Sequence, residues 1–305
     1  MKKILLLVVC LMIVGMQSVK AQVAIAALHH EGNVSIYSSV DVAIDNSVDG
    51  DTIYLSEGMF AEFTINKAIA VIGSGMKTVV AKDINISSSN VMICNISIVR
   101  DIDFQNGVYC NDIKIRQCKI AGDLNLQDID NVEVLMCHIQ GKIASSINWT
   151  RLITFVNSKI YEVPQGGKTF GSITFVNCNI NKITQNYSYS DRNSYINCII
   201  GSLMQGSFKN CLYAIEYDDS EGGCERVDCY TGVGFTLDGN LECSLTDEEL
   251  LAGGYIGTDD TVVGITGGPT PFTLASPVLR ITSHNIEVDN ENRKLKVNLT
   301  LGIEE

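Results

Sequence analysis

Hydrophobic and polar residues alternate in short runs that recur about every 20 residues between positions 113 and 202. The same position in each run holds a cysteine or a serine, and the steps between these positions are 19, 21, 20 and 20 residues. The five aligned runs are IKIRQCKIAG from Ile113, VEVLMCHIQG from Val132, ITFVNSKIYE from Ile153, ITFVNCNINK from Ile173 and SYINCIIGS from Ser194. A fixed period of this length indicates a solenoid.

Alternation with a period of two predicts β-strands. In the second run, Val132 and Val134 point to one face, and Glu133 and His138 point to the other. A unit of about 20 residues cannot bury its own apolar face, whereas stacked units share one continuous core. The sequence therefore predicts an all-β chain wound into parallel coils, with two or three short strands in each coil.

Stacking places the recurring small residues in internal columns. Cysteine packs as a small hydrophobe, so we interpret the thiols as structural and not as a metal or redox site. Asparagine tolerates the conformations of tight turns, so the asparagine before each cysteine is expected at a corner. The predicted structural ladder consists of Cys118, Cys137, Ser158, Cys178 and Cys198 with Asn157, Asn177 and Asn197.

The segment before the repeats gives a more specific signal. It reads SSVDVAIDNSVDGDTIYLSEGMF, in which a short amphipathic helix around 40–47 leads through Gly50 and Asp51 into a strand. This resembles the N-terminal cap and first coil of right-handed parallel β-helix proteins of the pectin lyase-like class, over roughly residues 35–240. The resemblance implies a right-handed parallel β-helix whose open end is covered by a helix, which blocks further strand addition.

The C-terminal part predicts a helix followed by a hairpin. Thr246 and Glu249 form a capping box, and Gly253 with Gly254 ends the helix. Two alternating runs around 289–292 predict a terminal β-hairpin, whose open edge is expected to pair with another chain. This tail is similar to that of uncharacterised exported bacterial β-helix proteins. The predicted organisation is a signal peptide at 1–21, a β-helix domain at 22–245, and a capping segment with a hairpin at 246–305.

A leucine-rich repeat is the alternative solenoid. The run ITFVNSKIYEVP follows the LxLxxNxIxxIP rhythm of that repeat, and the step length also fits. The helix-capped start and the few leucines argue against it. So do inter-repeat stretches such as AGDLNLQDIDN, which look like strands and turns.

The chain begins with two lysines and an apolar run of about fifteen residues, followed by a small-residue cleavage site at Ala21. The run is too short for a stable membrane span, and Val9 before Cys10 disfavours a lipid anchor. We predict a signal peptide cleaved after Ala21, a secreted, periplasmic or cell-surface location, and no transmembrane segment. His29 and His30 are interpreted as a linker behind the cleavage site.

Charge and cysteine content narrow the class of partner. Removal of residues 1–21 takes away three lysines and no acid, so the formal charge moves from −13 to −16. A charge of this sign argues against nucleic acid and anionic membrane surfaces as general partners. The cysteines occur in no pair or cluster with zinc spacing. The sequence does not decide whether a disulfide forms among Cys224, Cys229 and Cys243.

The resemblance also implies candidate chemistry, because pectin lyase-like enzymes are often polysaccharide lyases or glycoside hydrolases. The hydrolases need closely placed carboxylates, but the Gly-His-Gly and Arg-Ile-Lys motifs of polygalacturonase-like members are absent, and Asp-Asp occurs only at 218–219 and 259–260. No run of outward acids is apparent at successive repeat positions. We predict no catalytic residue, no metal site and no cofactor.

Two surfaces remain as candidate ligand sites. The position after each ladder cysteine is expected to face solvent and to form a cationic column for an acidic polysaccharide, in which a histidine between two lysines stays neutral. Exposed aromatic rings in the inter-repeat loops are a second candidate, because such rings stack on sugars. The predicted column is Lys119, His138, Lys159 and Asn179, and the aromatic candidates are Trp149, Tyr161, Phe170, Tyr187, Tyr189 and Tyr195.

These observations predict a secreted, non-catalytic β-helix scaffold that contacts polysaccharides or cell-surface proteins. The alternative is a polysaccharide lyase or glycoside hydrolase without recognisable motifs. Outward charged groups clustered across two or three adjacent coils would favour the enzyme, whereas a long, smooth polar face would favour the scaffold.

Overall fold

A computed structural model describes residues 24–145, 151–164, 173–184, 193–202, 206–214, 224–274, 278–289 and 294–304. The predicted signal peptide lies outside the described residues. The strands are β1 (Ala26–His30), β2 (Asn33–Tyr37), β3 (Thr52–Leu55), β4 (Gly58–Phe60), β5 (Phe63–Ile65), β6 (Ala70–Gly73), β7 (Thr78–Val80), β8 (Ile84–Ile86), β9 (Met92–Cys94), β10 (Ser97–Ile98), β11 (Ile102–Phe104), β12 (Cys110–Arg116), β13 (Lys119–Ile120), β14 (Leu124–Leu126), β15 (Ile129–Leu135), β16 (His138–Ser145), β17 (Arg151–Val156), β18 (Lys159–Pro164), β19 (Ile173–Val176), β20 (Asn179–Thr184), β21 (Ser194–Ile196), β22 (Ile199–Ser202), β23 (Gly206–Lys209), β24 (Leu212–Tyr213), β25 (Cys224–Val227), β26 (Val278–Asp289) and β27 (Lys294–Glu304). The helices are α1 (Val40–Asn46) and α2 (Asp247–Ala252).

Successive coils stack in parallel and form three faces. Sheet A runs in the order β2-β1-β3-β6-β9-β12-β15-β17-β19-β21-β23-β25. Sheet B runs in the order β4-β7-β10-β13-β16-β18-β20-β22-β24, and sheet C, formed by β5, β8, β11 and β14, joins it at β16. The predicted fold class, a right-handed parallel β-helix with a capping helix and a terminal hairpin, is confirmed, and the leucine-rich-repeat alternative is wrong.

The strand register reproduces the alignment of the sequence repeats. Ile113 pairs with Val132, Val132 with Ile153, and Ile153 with Ile173. Equivalent positions in successive strands therefore form columns, and every second position of a strand belongs to a column in the shared interior. One column is aromatic, with Phe155, Phe175, Tyr195 and Phe208 stacked at centroid distances of 5.0, 4.9 and 4.8 Å. The assignment of Tyr195 to a sugar-contacting surface is wrong, because this ring is fully buried in the stack.

Cys118, Cys137, Ser158, Cys178 and Cys198 are all fully buried. The side chains of Cys178 and Cys198 interact, as do those of Cys198 and Cys211, so adjacent coils place their thiols together. The step to Cys211 is 13 residues, which shows that a shorter coil still continues the column.

The residue before each ladder position occupies a corner with left-handed backbone. The φ angles are 44° at Asn157, 51° at Asn177 and 55° at Asn197. Asparagine adopts this region more readily than most residues. The side chains of these corner residues are also buried, which follows from contacts with the C-terminal part of the chain described below.

A helix and a hairpin together close the N-terminal end. Helix α1 buries Val40, Ala43 and Ile44 against the first coil, and Lys67 Nζ donates to the Ile44 carbonyl oxygen at 2.7 Å near the helix C-terminus. The interpretation of His29 and His30 as a linker is wrong, because both lie in β1. Strand β1 pairs antiparallel with β2 and with β3, so sheet A continues beyond the first coil.

The C-terminal elements follow the sequence prediction. Helix α2 has both halves of the capping box between Thr246 and Glu249. Strands β26 and β27 form an antiparallel hairpin. Within the described ranges, neither helix has the length and apolar character needed to span a bilayer.

Candidate functional site

The predicted polar column on sheet B exists, but most of it does not face solvent. Lys119, His138, Lys159 and Asn179 occupy one register position in successive coils. His138 is 6% exposed, Lys159 4% and Asn179 1%, whereas Lys119 is partly exposed. The expectation of a solvent-facing ligand column is therefore wrong for three of its four members.

The column is covered by the segment that follows the last coil, residues 231–272, which we call the C-terminal cover. The ammonium of Lys159 pairs with the Glu242 carboxylate and lies 4.7 Å from the centroid of the Phe272 ring. Asn179 Nδ2 donates to the Leu241 carbonyl oxygen at 2.9 Å. The cover also brings a second apolar cluster, containing Phe235, Leu250 and Val263, onto the outer face of sheet B.

Burial changes the chemistry of His138. Burial, followed by the positive charges of Lys159 and Lys119, lowers the pKa of this imidazole to about 4. The prediction of a neutral histidine rested on the two lysines, which add to the larger effect of burial. Since the ring lies beneath the cover, it is not available as a base for an external substrate.

A sequence signal for this burial was present but not used. At the column positions after Asn179, the next two coils carry Ile199 and Leu212. Both are buried in the second apolar cluster. A change from polar to aliphatic residues at an outward position indicates that another part of the chain covers that face.

Tyr161, in β18, is 48% exposed, and the aromatic candidates Trp149, Phe170, Tyr187 and Tyr189 lie outside the described residues. No geometry bears on their predicted contact with sugars, which stays a prediction.

An open cleft of about 440 Å³ lies on the outer side of sheet A, in the coils of β9, β12 and β15. It is lined by Asn90, Val91, Met92, Asp112, Ile113, Lys114, Asn131 and Glu133. Clefts of roughly 300–1,000 Å³ with a few convergent polar groups are typical of small-ligand sites. We call this feature the sheet A cleft.

Three polar residues of the cleft are positioned by a second left-handed corner. Asn90, Asp112 and Asn131 have φ angles of 56°, 57° and 50°. Asn131 Nδ2 donates to Asp112 Oδ1, so one amide and one carboxylate of successive coils are linked. The sequence analysis missed this corner because Asn90 precedes the regular repeats, and Asp112 and Asn131 lie one residue before the aligned runs that begin at Ile113 and Val132.

Charged groups surround the same cleft. Glu133 accepts from Arg116 Nη2 at 2.6 Å. Lys114 is exposed and takes part in no ion pair among the described residues. Tyr109 directly precedes β12 and is 56% exposed. Its hydroxyl donates to Asp130 Oδ2 at 3.2 Å, next to Asn131. The cleft thus offers a free ammonium, amides and carboxylates side by side.

The statement that outward acids do not occur at successive repeat positions is wrong. Asp83, Asp101 and Asp123 each precede a paired strand of sheet C, in three adjacent coils. Their spacings of 18 and 22 residues are uneven and lie mostly before the regular repeats, so periodicity near 20 did not reveal them. We call these three residues the carboxylate column.

One carboxylate oxygen of each member of the carboxylate column accepts a hydrogen bond from a backbone amide of the next coil. Asp83 Oδ1 accepts from the Asp101 amide at 3.1 Å, and Asp101 Oδ1 accepts from the Asp123 amide at 2.6 Å. Asp123 Oδ1 accepts from the Lys142 amide at 2.9 Å. These bonds join consecutive coils at the corner, which is a structural role for the column.

Asp103 places a fourth carboxylate beside the carboxylate column. One carboxylate oxygen from each of Asp83, Asp101 and Asp103 can be chosen so that all three lie within 4.8 Å of one another. Burial raises the pKa of Asp103, a hydrogen bond from Asn125 Nδ2 opposes this shift, and the charges of Asp101 and Asp83 reinforce it. Oxygen groups at such separations suit either a hard divalent cation or carboxyl-based acid–base chemistry.

Comparisons with known proteins bear only on the fold. No protein-family model matches the sequence, and no curated protein matches it. A pectin methylesterase from Yersinia enterocolitica is similar in structure over 71% of this chain and 96% of its own, with a TM-score of 0.31 and 12% identity. A deglycosylated pectin methylesterase from Aspergillus niger is similar over 65% and 83%, with a TM-score of 0.29 and 14% identity. Similarity at this level transfers no activity to the chain.

Proposed function

We propose that this chain is an exported polysaccharide-binding β-helix protein and that the sheet A cleft is its binding site. The observation that carries the proposal is the combination, in one open cleft, of an exposed Lys114 ammonium with the side chains of Asp112 and Asn131. Ring hydroxyls of a sugar pair with amide and carboxylate groups, and a sugar carboxylate pairs with an ammonium.

The repeat geometry favours a chain-like ligand. Adjacent coils are about 4.8 Å apart, and the polar groups of the cleft come from three successive coils. A polymer lying along the solenoid axis therefore meets one polar corner residue in each coil, namely Asn90, Asp112 and Asn131. The ammonium of Lys114, which is in no ion pair among the described residues, favours an acidic polymer over a neutral one.

Affinity electrophoresis of the purified chain through gels containing uronic-acid polysaccharides, at low salt, tests this function. We expect retarded migration with acidic polymers, which the Lys114→Ala variant loses. The matched control is Lys119→Ala, which removes a partly exposed lysine of sheet B outside the cleft. Migration of the wild-type chain that is unchanged across acidic and neutral polysaccharides would overturn the proposal.

A second candidate function, polysaccharide cleavage, is favoured by the closeness of Asp83, Asp101 and Asp103. Hydrolases use one protonated and one ionised carboxyl group. In this role, Asp103 with its raised pKa acts as the acid and Asp101 as the base. Release of reducing ends, lost in Asp103→Asn and kept in Asp41→Asn, supports cleavage. Binding in the gel assay without product release assigns the chain to the scaffold class.

A further inference from the structure

Strand β2 is the terminal strand of sheet A at the N-terminal end. It pairs with β1 on one side, and no described strand pairs with its other side. Its five residues, Asn33–Tyr37, contain neither a charged side chain nor a proline. Exposed edge strands of monomeric proteins are ordinarily protected by such residues, by bulges or by covering elements. Helix α1 buries Val40, Ala43 and Ile44 next to β2, but among the described residues no backbone group hydrogen-bonds to the outer edge of β2.

The turn between β1 and β2 determines which backbone groups point outward. Glu31 and Gly32 have φ angles of 47° and 82°, which is the pattern of a two-residue type I′ turn. The flanking pair His30 and Asn33 therefore exchanges hydrogen bonds, and the bonded pairs then alternate along the hairpin. It follows that Ser35 bonds to β1, whereas the amide and carbonyl groups of Val34 and Ile36 point to the open side.

The side chains of the same two residues are exposed. Val34 is 61% exposed and Ile36 is 58% exposed. Through the register, Ile36 lies beside Ala27 and then Tyr54, which is 50% exposed, so the edge continues into an apolar row on the outer face. Ser35 is flanked on both sides by an exposed aliphatic residue, so the central three positions of β2 have the same polar and apolar pattern in both directions.

We propose that β2 pairs with β2 of a second copy of this chain, in antiparallel orientation about a two-fold axis at Ser35. In this arrangement Val34 of each copy faces Ile36 of the other. The outward amide and carbonyl groups of these residues form four intermolecular hydrogen bonds, and the two sheets A become one continuous sheet. The occupant is a second copy because the edge is self-complementary in both its backbone groups and its side chains.

The charges next to the edge permit this pairing. The five residues that pair in this arrangement, Asn33–Tyr37, include no carboxylate and no other charged side chain. No carboxylate of one strand therefore meets a carboxylate of the other at the paired positions. This matters because the chain is strongly acidic overall, and like charges directly opposite each other destabilise a strand pair.

Sedimentation of the full chain over a range of concentrations tests the dimer. We expect a mass twice that of the monomer, and a monomer mass for Ile36→Lys, which places an ammonium on the edge. The matched control is Val227→Lys, which adds the same charge at an exposed aliphatic position, 43% exposed, in the terminal strand at the other end of sheet A. This variant should remain dimeric.

Cysteine cross-linking tests the register independently. Residues directly opposite in a non-hydrogen-bonded pair have Cα atoms about 4.5 Å apart, a separation that permits a disulfide. Oxidised Ser35→Cys should therefore give a covalent dimer beyond the wild-type background, whereas Val34→Cys should not, because its two copies are diagonal neighbours roughly 7–8 Å apart. A monomer at every concentration, or a dimer that Ile36→Lys leaves intact, overturns the proposal; the latter result would assign association to another surface, such as the terminal hairpin.

Discussion

Lys159 and Glu242 form an ion pair across 83 residues of sequence, with the lysine side chain 4% exposed and the glutamate side chain 56% exposed. The two partners are therefore unequal. The cation is enclosed between sheet B and the C-terminal cover, whereas the anion reaches solvent. The consequences of removing each partner should differ accordingly.

Glu242→Ala should destabilise the chain more than Lys159→Met does. Loss of the carboxylate leaves a buried ammonium without its counter-ion, which we expect to cost about 1–3 kcal/mol after allowance for the exposure of the glutamate. Methionine in place of the lysine keeps an unbranched side chain against Phe272 and leaves only an exposed acid unpaired, so the cost should stay within about 1 kcal/mol. Urea unfolding of both variants measures the difference, and equal losses would contradict this account.

Ser158 interrupts the thiol column and makes two hydrogen bonds that define its contribution. Its hydroxyl donates to the Val156 carbonyl oxygen at 2.9 Å and accepts from the Cys137 amide at 3.1 Å. Ser158→Ala leaves the Cys137 amide without its acceptor in the core, whereas the Val156 carbonyl oxygen still accepts from the Met136 amide at 3.0 Å. The expected loss is about 1–2 kcal/mol, from the unpaired amide.

Ser158→Cys is the matched control, since it restores the residue type found in neighbouring coils and fills the same space. We expect a smaller loss of unfolding free energy than for alanine. Thermal melts of the two variants compare the values. An alanine variant as stable as the cysteine variant would show that the hydroxyl has no net role.

His138 should make the chain less stable as the pH falls. Its native pKa is lowered to about 4, below the ordinary value of 6.5, so the unfolded chain binds the proton more readily. The stabilisation is fully present above pH 6.5 and is lost as the pH falls towards 4, on the order of 3 kcal/mol in total. Unfolding of the wild type and His138→Gln at pH 7 and pH 4.5 measures this effect. Equal pH dependence in both proteins would contradict the assigned shift.

Asn157 joins a left-handed corner to the C-terminal cover, and two substitutions separate these roles. Its Nδ2 donates to the carbonyl oxygens of Ile265 at 3.1 Å and Gly267 at 2.7 Å. Asn157→Gly keeps the corner conformation and loses these bonds, which should cost about 1–3 kcal/mol. Asn157→Ala should cost roughly 1–2 kcal/mol more, because a Cβ disfavours the left-handed region.

Limited proteolysis provides the second readout for Asn157. Both variants should expose the cover to cleavage sooner than the wild type, since both lose the same two anchoring bonds. Cleavage within 231–272 at an unchanged rate would show that these bonds do not retain the cover.

The periodic part of the fold could be predicted because one pattern determines both strand direction and coil register. Each aligned run places aliphatic or aromatic residues inward at alternate positions of its first strand, and the paired strands keep that order. The helix α1 and the capping box at Thr246 were also evident, since both depend on residues close together in sequence.

The candidate sites were predicted less well, because they depend on contacts that no local pattern specifies. Burial of Lys159 requires knowing that residues 231–272 fold back over sheet B. The carboxylate column of Asp83, Asp101 and Asp123 required a register across coils of unequal length. Local alternation predicts which way a residue points from its own strand, and it cannot predict what lies opposite.

The C-terminal cover contacts four corner asparagines in turn. Ile256 accepts from Asn210, Thr258 donates to Asn197, Asp259 accepts from Asn177, and Ile265 accepts from Asn157. The cover therefore runs back along the solenoid, and the spacing of its contact residues matches the spacing of the coils between positions 157 and 210. Repeat proteins gain and lose whole units easily. A duplication or deletion of a coil within this interval would separate the contact residues of the cover from their asparagines. The length of the C-terminal cover therefore fixes the number of coils in this part of the solenoid.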